Sequence, residues 1–418
     1  MKKEECEQRH RLNRFVDLAR VYRGWTRTEL SKVLGRDPSK IVPESGNPKL
    51  DLIVNLADVL DWNVGDVAES VWIRGGEAET DDRPRSFEEL SQAAVDARHA
   101  GRFDDVIELT REMRMVATTP RQHAIACLRE GSVWDRRGRY TRALECAQEG
   151  LAVDCQDHDV VTTLQGRLAN GHYTLWHLIE ARAVAQDLID GLEGADLSDP
   201  VIHENLGIAH YARGHASRRC LSSNPVANHR DNTNAIDHLR RAIEIYEDLR
   251  HRRDRPTDEA ISQICSGGIL ELQVAAGATT ADAAMDEILS SLDDVVDLEN
   301  CPSVDLLECR GWWAIFGCNI ALRHYDGPEM HRHMAILTNK ALEIAEKIGN
   351  WGLRERAFTL EHFRRQNVPE TTGPADEEDW ILDDEEVRTI TGTMGRFPGF
   401  RRVGWHILES ARVFAPAS

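Results

Sequence analysis

Apolar residues recur at helical spacing along most of the chain. In RLNRFVDLARVYRGW, Phe15, Leu18, Ala19 and Tyr22 fall at i, i+3, i+4 and i+7 and predict an amphipathic helix. Thr26 with Glu29 three residues on has the form of a capping box, opening a second short helix. Leu30, Val33 and Leu34 are its inward face and Gly35 its stop. Pro43 limits the next helix to Pro38–Val42, since proline is tolerated at a first turn and not inside. After the Asn47-Pro48 turn, Leu52, Leu56, Val59 and Leu60 form another stripe, closed by Trp62.

That order, WTRTELSKVLG and then NPKLDLIVNLADVLDWNVGDVAE, resembles the Cro/C1-type (XRE) helix-turn-helix over residues 11–71. The resemblance implies a second helix bracing the phosphate backbone and a third entering the major groove. Carried over by residue, Arg27, Thr28 and Lys32 are phosphate contacts, and Arg36, Ser39 and Lys40 lie at or near base edges. Asn47 falls in the loop that touches the backbone. The chain departs from the pattern by a short spacing before Asn47-Pro48 and by Pro43. Only Lys40 and Arg36 are placed to read guanine, and no Gln or Asn is placed to read adenine. The alternative is a degenerate bundle kept for dimerisation or partner docking.

Residues 74–85, RGGEAETDDRPR, read as a solvated linker. Helical hairpins follow. In Ala126–Asp154, Gly131, Trp134, Gly138, Tyr140, Ala143 and Ala147 alternate small and large residues as tetratricopeptide repeats do. Ala94, Ala97, Gly101, Phe103 and Val106 form a weaker copy upstream. Downstream, Gly171 and Ala183, then Gly207 and Gly214, continue the pattern. The segment HASRRCLSSNPVANHRDNT reads as an interruption, with further hairpins at 257–298 and 304–366. The resemblance implies a right-handed superhelix with a concave groove for a peptide or protein ligand. Aligned on Gly131, Gly171 and Gly207, its groove positions are Ser132, Asp135 and Arg136, then Leu168, His172 and Trp176, then Glu204, Ile208 and Tyr211. In the last segment, 367–418, a loop, an acidic run and the basic aromatic GRFPGFRRVGW cap the array.

Composition agrees with helix: aromatics are 6% of residues against 41% hydrophobic overall. The formal charge of -20 excludes coating of nucleic acid along the chain. Residues 1–40, however, hold eleven Lys/Arg against six Asp/Glu, so any DNA contact is N-terminal. Nine cysteines without a CxxC spacing suit a reducing cytoplasm. The charged N-terminus is not a signal peptide, and no apolar run is long enough for a membrane span. GxxxxGK[ST], HExxH, GxSxG and GxGxxG are all absent, so no catalytic residue, metal or cofactor is expected. The fold class expected is all-α: a small helix-turn-helix bundle (1–73), the linker, a tetratricopeptide-like α-solenoid (86–366) and a capping segment.

In layout the chain is similar to the peptide-responsive regulators of the RRNPP group. That similarity implies a homodimeric bacterial transcriptional regulator that binds DNA through residues 1–73 and senses a peptide in the array. The competing expectation is a tetratricopeptide interaction scaffold whose helix-turn-helix no longer binds DNA.

Overall fold

The computed structural model describes residues 2–43, 47–62, 64–72, 85–223, 229–253, 255–295, 297–298, 303–366 and 380–413. The chain is all-helical apart from one short strand pair. It divides into two compact units, Met1–Pro84 and Arg85–Ser418. The expected linker, save Arg85, lies outside the described residues, as does the loop from 367 to 379. Among the described residues no helix is long and apolar enough to cross a membrane.

In the first unit α1 (Lys2–Arg23), α2 (Arg27–Val33), α3 (Leu50–Leu60) and α4 (Val64–Trp72) surround one core. The capping box at Thr26 and Glu29 is present. The buried stripe of α1 differs from the expectation: it runs through Leu12, Phe15, Val16 and Ala19, while Leu18 and Tyr22 are exposed. Two apolar stripes overlap on this helix, and α3 and α4 pack on the one nearer its N-terminus. Tyr22 uses its hydroxyl instead, donating to Asp61 at 2.7 Å. Val33 is likewise outside the core.

The larger correction is the third helix, which is absent. Residues 36–43 form turns and irregular backbone between α2 and α3. Asp37 accepts from the Ser39 amide (2.8 Å) and hydroxyl, an Asx-type turn that competes with helix. Ile41 and Val42 are driven into the bundle core, and Pro43 stops any helical continuation.

The second unit is a two-layer array. Its helices are α5 (Phe87–His99), α6 (Phe103–Val116), α7 (Pro120–Arg136), α8 (Tyr140–Ala152), α9 (His158–Thr174), α10 (Leu178–Gly191), α11 (Pro200–Ser223), α12 (His229–Arg253), α13 (Pro256–Ala275), α14 (Ala281–Leu292), α15 (Val304–His324), α16 (Gly327–Ile348) and α17 (Trp351–Gln366). Each odd-numbered helix from α5 to α15 packs on the next even one, and odd helices also pack on each other. Stacking buries apolar faces that no single hairpin could cover. Local sequence fixes the helix starts: Ser86 with Glu89 and Thr119 with Gln122 form capping boxes, and Pro120 stands at a first turn. Gly214 lets α11 meet α12, since a Cβ there would lie 2.7 Å from Leu239.

The expected interruption after Gly214 is another correction. Helix α11 continues to Ser223, because Ala216 and His215 are fully buried and keep the helix anchored. At the far end, β1 (Trp380–Leu382) and β2 (Ala411–Val413) pair in parallel around α18 (Asp384–Arg396) and α19 (Arg401–Ser410). Trp380 and Leu382, inside the acidic run, are buried in this cap rather than solvated.

The cap reaches back to the α7–α8 turn. Tyr140 packs on Phe397 with ring centroids 5.1 Å apart. A Cβ at Gly138 would sit 2.6 Å from Trp351 Cδ1, and Arg396 lies over the Trp351 ring at 3.7 Å. The array is thereby closed on itself.

Candidate ligand cavity in the array

Helix α11 carries Ala209, Ala212 and Ala216 into the core, and its stripe continues through His215, Arg218 and Arg219. Both arginines are buried and face a cavity of about 490 Å³. The α9–α10 turn supplies Leu175 and Trp176, and α15 supplies Trp312, Asn319 and Arg323. Glu355, Arg356 and Thr359 come from α17, while Phe397, Phe400 and Val403 come from the cap. The odd-helix layer thus forms most of the lining, and the closing cap supplies the remaining wall.

Two polar clusters organise this lining. In the first, Glu271 of α13, 2% exposed, accepts from Arg218, from Asn319 Nδ2 at 3.1 Å and from Arg323 at 3.3 Å. The Arg218 guanidinium also lies over Phe316 at 4.7 Å. Beside it His215 sits among Tyr173, Tyr211 and Phe316, and burial holds its pKa well below the usual value, so it is neutral.

In the second, the Trp176 ring lies between two guanidiniums, Arg219 at 4.2 Å and Arg356 at 4.6 Å. Arg219 donates to the Tyr173 carbonyl at 3.0 Å. Burial, and then its cationic neighbours Arg218 and Arg356, push its pKa down to about 10. Glu355 accepts from Thr359 at 3.0 Å and stands 3.9 Å from Arg356.

Trp176 also has unusual backbone. Three turns of the array end their first helix in the same way: Arg102, Arg139 and His177 amides donate to Ala97, Trp134 and His172 carbonyls at 2.9, 2.8 and 2.9 Å. The left-handed residue is Gly101 (φ 72°) in the first and Gly138 (φ 68°) in the second. In the third it is Trp176, at φ 67°. A side chain in this conformation costs roughly 1–2 kcal/mol, which glycine avoids. Among the described residues, Trp176 and Asp61 are the non-glycines with positive φ.

The other residues expected to face a groove are dispersed. Ser132 and Asp135 line a small cleft with Tyr140, Arg167 and Asn170. Burial lifts the Asp135 carboxyl above its usual range, against the pull of Arg167 and Arg136. Arg136 itself is exposed and Leu168 is half-buried. His172 is buried and shares a 3.3 Å ring-nitrogen contact with His177. Glu204 pairs with Arg253 at 2.7 Å, and Ile208 and Tyr211 are half-buried against the apolar core. Arg136, His172 and Tyr211 do not share one exposed face: repeat spacing sets the period, but the neighbouring helix decides which residues it covers.

In the first unit, Arg27, Thr28, Lys32, Ser39, Lys40 and Asn47 are exposed, and Arg36 is half-buried. Arg36 donates to both Asp51 oxygens at 3.0 Å, and Arg27 Nε donates to the Pro38 carbonyl at 2.9 Å. Asn47 accepts from Gln8 at 3.1 Å and from Trp72 at 3.3 Å. None of the seven lies on a helix between α2 and α3.

The sequence reading missed Arg218, Arg219, Arg323, Glu355 and Arg356. For the first two a signal was available, since the Ala209–Ala212–Ala216 stripe runs straight on to them. Among the described residues, no group of three or more His, Cys, Asp or Glu could hold a metal ion.

No protein-family model matches the sequence, and no curated protein matches it. Among solved structures it is similar to Bacillus thuringiensis PlcR in complex with the peptide PapR7 and DNA. The identity is 12%, covering 86% of this chain and 99% of that one, with a TM-score of 0.30. So slight a likeness carries no function across.

Proposed function

We propose that this chain is a ligand-responsive regulator whose sensor is the array and whose output is the N-terminal unit. The observation that carries the reading is the cavity of about 490 Å³, walled by aromatic side chains and buried arginines. That volume is within the range of pockets for drug-sized ligands, about 300–1,000 Å³, and suits a short peptide segment better than a folded partner. A ligand there touches α11, α15, α17 and the cap at once, so its binding favours one curvature of the array over another. The test is thermal unfolding of the full chain with pooled short peptides. A ligand at a hundredfold excess over its Kd adds about 2.7 kcal/mol of stability. Leu322→Trp, which fills the cavity, should abolish the shift. No shift with any pool, or an equal shift in that variant, removes the sensor.

For the output we propose DNA, bound by a homodimer in the cytoplasm. The support is the Cro/C1-like residue order and the exposure of Arg27, Thr28, Lys32 and Lys40. Without a helix between α2 and α3, phosphate contacts dominate, and affinity falls steeply with salt. Arg27→Ala with Lys32→Ala should weaken retardation of all DNA sequences alike.

A second reading, an interaction scaffold, is favoured by the same segment. Ile41 and Val42 are in the core, Arg36 is held by Asp51, and Asn47 is held by Gln8 and Trp72. It predicts no retardation at micromolar protein and low salt.

A further inference from the structure

We propose that the cavity takes an anionic group, a carboxylate or a phosphate, carried on an apolar body, with Arg356 and Arg323 as its cationic partners and Trp176 as its stacking wall. The proposal rests on the reading of the array as a ligand sensor and adds the charge of what is sensed.

The first ground is charge. Four guanidiniums line the cavity, those of Arg218, Arg219, Arg323 and Arg356, whereas Glu355 is the one acid in the lining. Counting Glu271 behind Arg218 and Arg323, the described residues hold a formal surplus of two positive charges. A surplus of buried charge opposes folding unless a counter-charge joins it. The depressed pKa of Arg219 has the same origin, burial together with like-charged neighbours. The surrounding protein cannot be the reason for the excess, because the chain as a whole carries -20.

The second ground is geometry. Arg356 is not spent on Glu355: at 3.9 Å the two are beyond direct hydrogen-bond distance. Its guanidinium instead lies against the Trp176 ring. A stacked guanidinium keeps its N–H donors in plane, the arrangement that grips a planar carboxylate or a phosphate through two oxygens. Arg323 shares Glu271 with Arg218 and is 31% exposed, so it too has donors to offer.

The third ground is Trp176 itself. Sister turns place glycine at the left-handed position, and here an indole stands there, between Arg219 and Arg356. Strained backbone concentrates at ligand clamps, and this residue is on the cavity wall. Ile315, Leu322, Leu360 and Val403 complete the lining, so the body bearing the charge is apolar.

Calorimetric titration of the full chain at about 50 mM salt, where screening is weak, tests this. Three probes are used: N-acetyl-tetraleucine with a free carboxylate, its C-terminal amide, and phenyl phosphate. The two anions should bind at least about tenfold more tightly than the amide, the scale of one charge-assisted contact. The tighter of the two identifies the source of the charge. Arg356→Gln and Arg323→Gln should each lose about tenfold for the anions and little for the amide. Arg356→Lys should recover part of that loss, and Trp176→Phe gives a second variant should the Gln changes unfold the array.

An amide that binds as tightly as the anions overturns the proposal, as do anions held equally by the Gln variants. So does the absence of binding by all three probes. Amide binding that disappears in Leu322→Trp overturns the charge assignment while the sensor reading stands.

Discussion

The arginines of the two units are used in opposite ways. In the first unit Arg27, Arg36 and Lys40 lie at the surface, and Arg36 is satisfied by Asp51 beside it. In the array Arg218 and Arg219 are 3% and 5% exposed, and they are held by aromatic rings and a carboxylate 53 residues away. A surface cation costs little and contributes little, so its presence says little about function. A buried one is costly to desolvate, and the fold must be built around it. By that criterion the chemistry of this chain is concentrated in the array, although the basic residues of the N-terminus are easier to notice.

The sharpest way to break this comparison is Glu271→Ala. It leaves Arg218 buried without its carboxylate, and a cost of about 3–5 kcal/mol is expected. Chemical denaturation measures it, and a loss below 1 kcal/mol would mean that the cluster is well hydrated.

A smaller effect comes from acid. His210 and His238 approach through their ring nitrogens at 3.0 Å, with Arg213 donating to His238 at 2.8 Å. Burial first, then His238, Arg241 and Arg213, push His210 down to about 3. Burial and Arg213 push His238 down to about 4. Unfolded, each takes up a proton near pH 6.5, so between that pH and the folded values the unfolded state binds more protons. Stability therefore falls as pH drops below about 6.5, by at most about 1.4 kcal/mol per unit for each histidine before solvent screening reduces it. His238→Gln should flatten the slope of melting temperature against pH; an unchanged slope places its cause elsewhere.

The smallest effect is expected in the first unit. Lys40→Ala should change stability by no more than about 0.5 kcal/mol, since the residue is exposed. A larger loss would mean that the segment after α2 depends on this cation.

Local signals were legible in the sequence. The caps at Thr26 and Ser86 and the stops at Gly101 and Gly138 each depend on a few adjacent residues. Signals that depend on a distant partner were not. Leu18 and Phe15 are equally good stripe residues until α3 and α4 choose between them. The Pro38–Val42 helix failed because Asp37 had a better use in a turn, and because Ile41 and Val42 reached the core without helix. Arg218 and Arg219 read as part of a polar break, for want of any local hint that Glu271 and Phe316 would meet them. Trp176 is the intermediate case. Its spacing marked it as a groove residue, and its place in register with Gly101 and Gly138 already marked it as strained.

The contact between Tyr140 and Phe397 has a consequence for how the protein is made. The two residues are far apart in the chain, whereas each hairpin of the array closes within a few tens of residues. During synthesis, at about 5–20 residues per second, the early hairpins emerge and stack many seconds before Phe397 exists. Throughout that interval the array is an open spiral with one wall of its cavity missing. Arg218, Arg219 and Trp176 then face water, and acquire their enclosed environment when the cap docks. A nascent chain stalled before residue 397 is therefore unable to bind as the finished protein does, and ligand recognition doubles as a check that translation has passed that point.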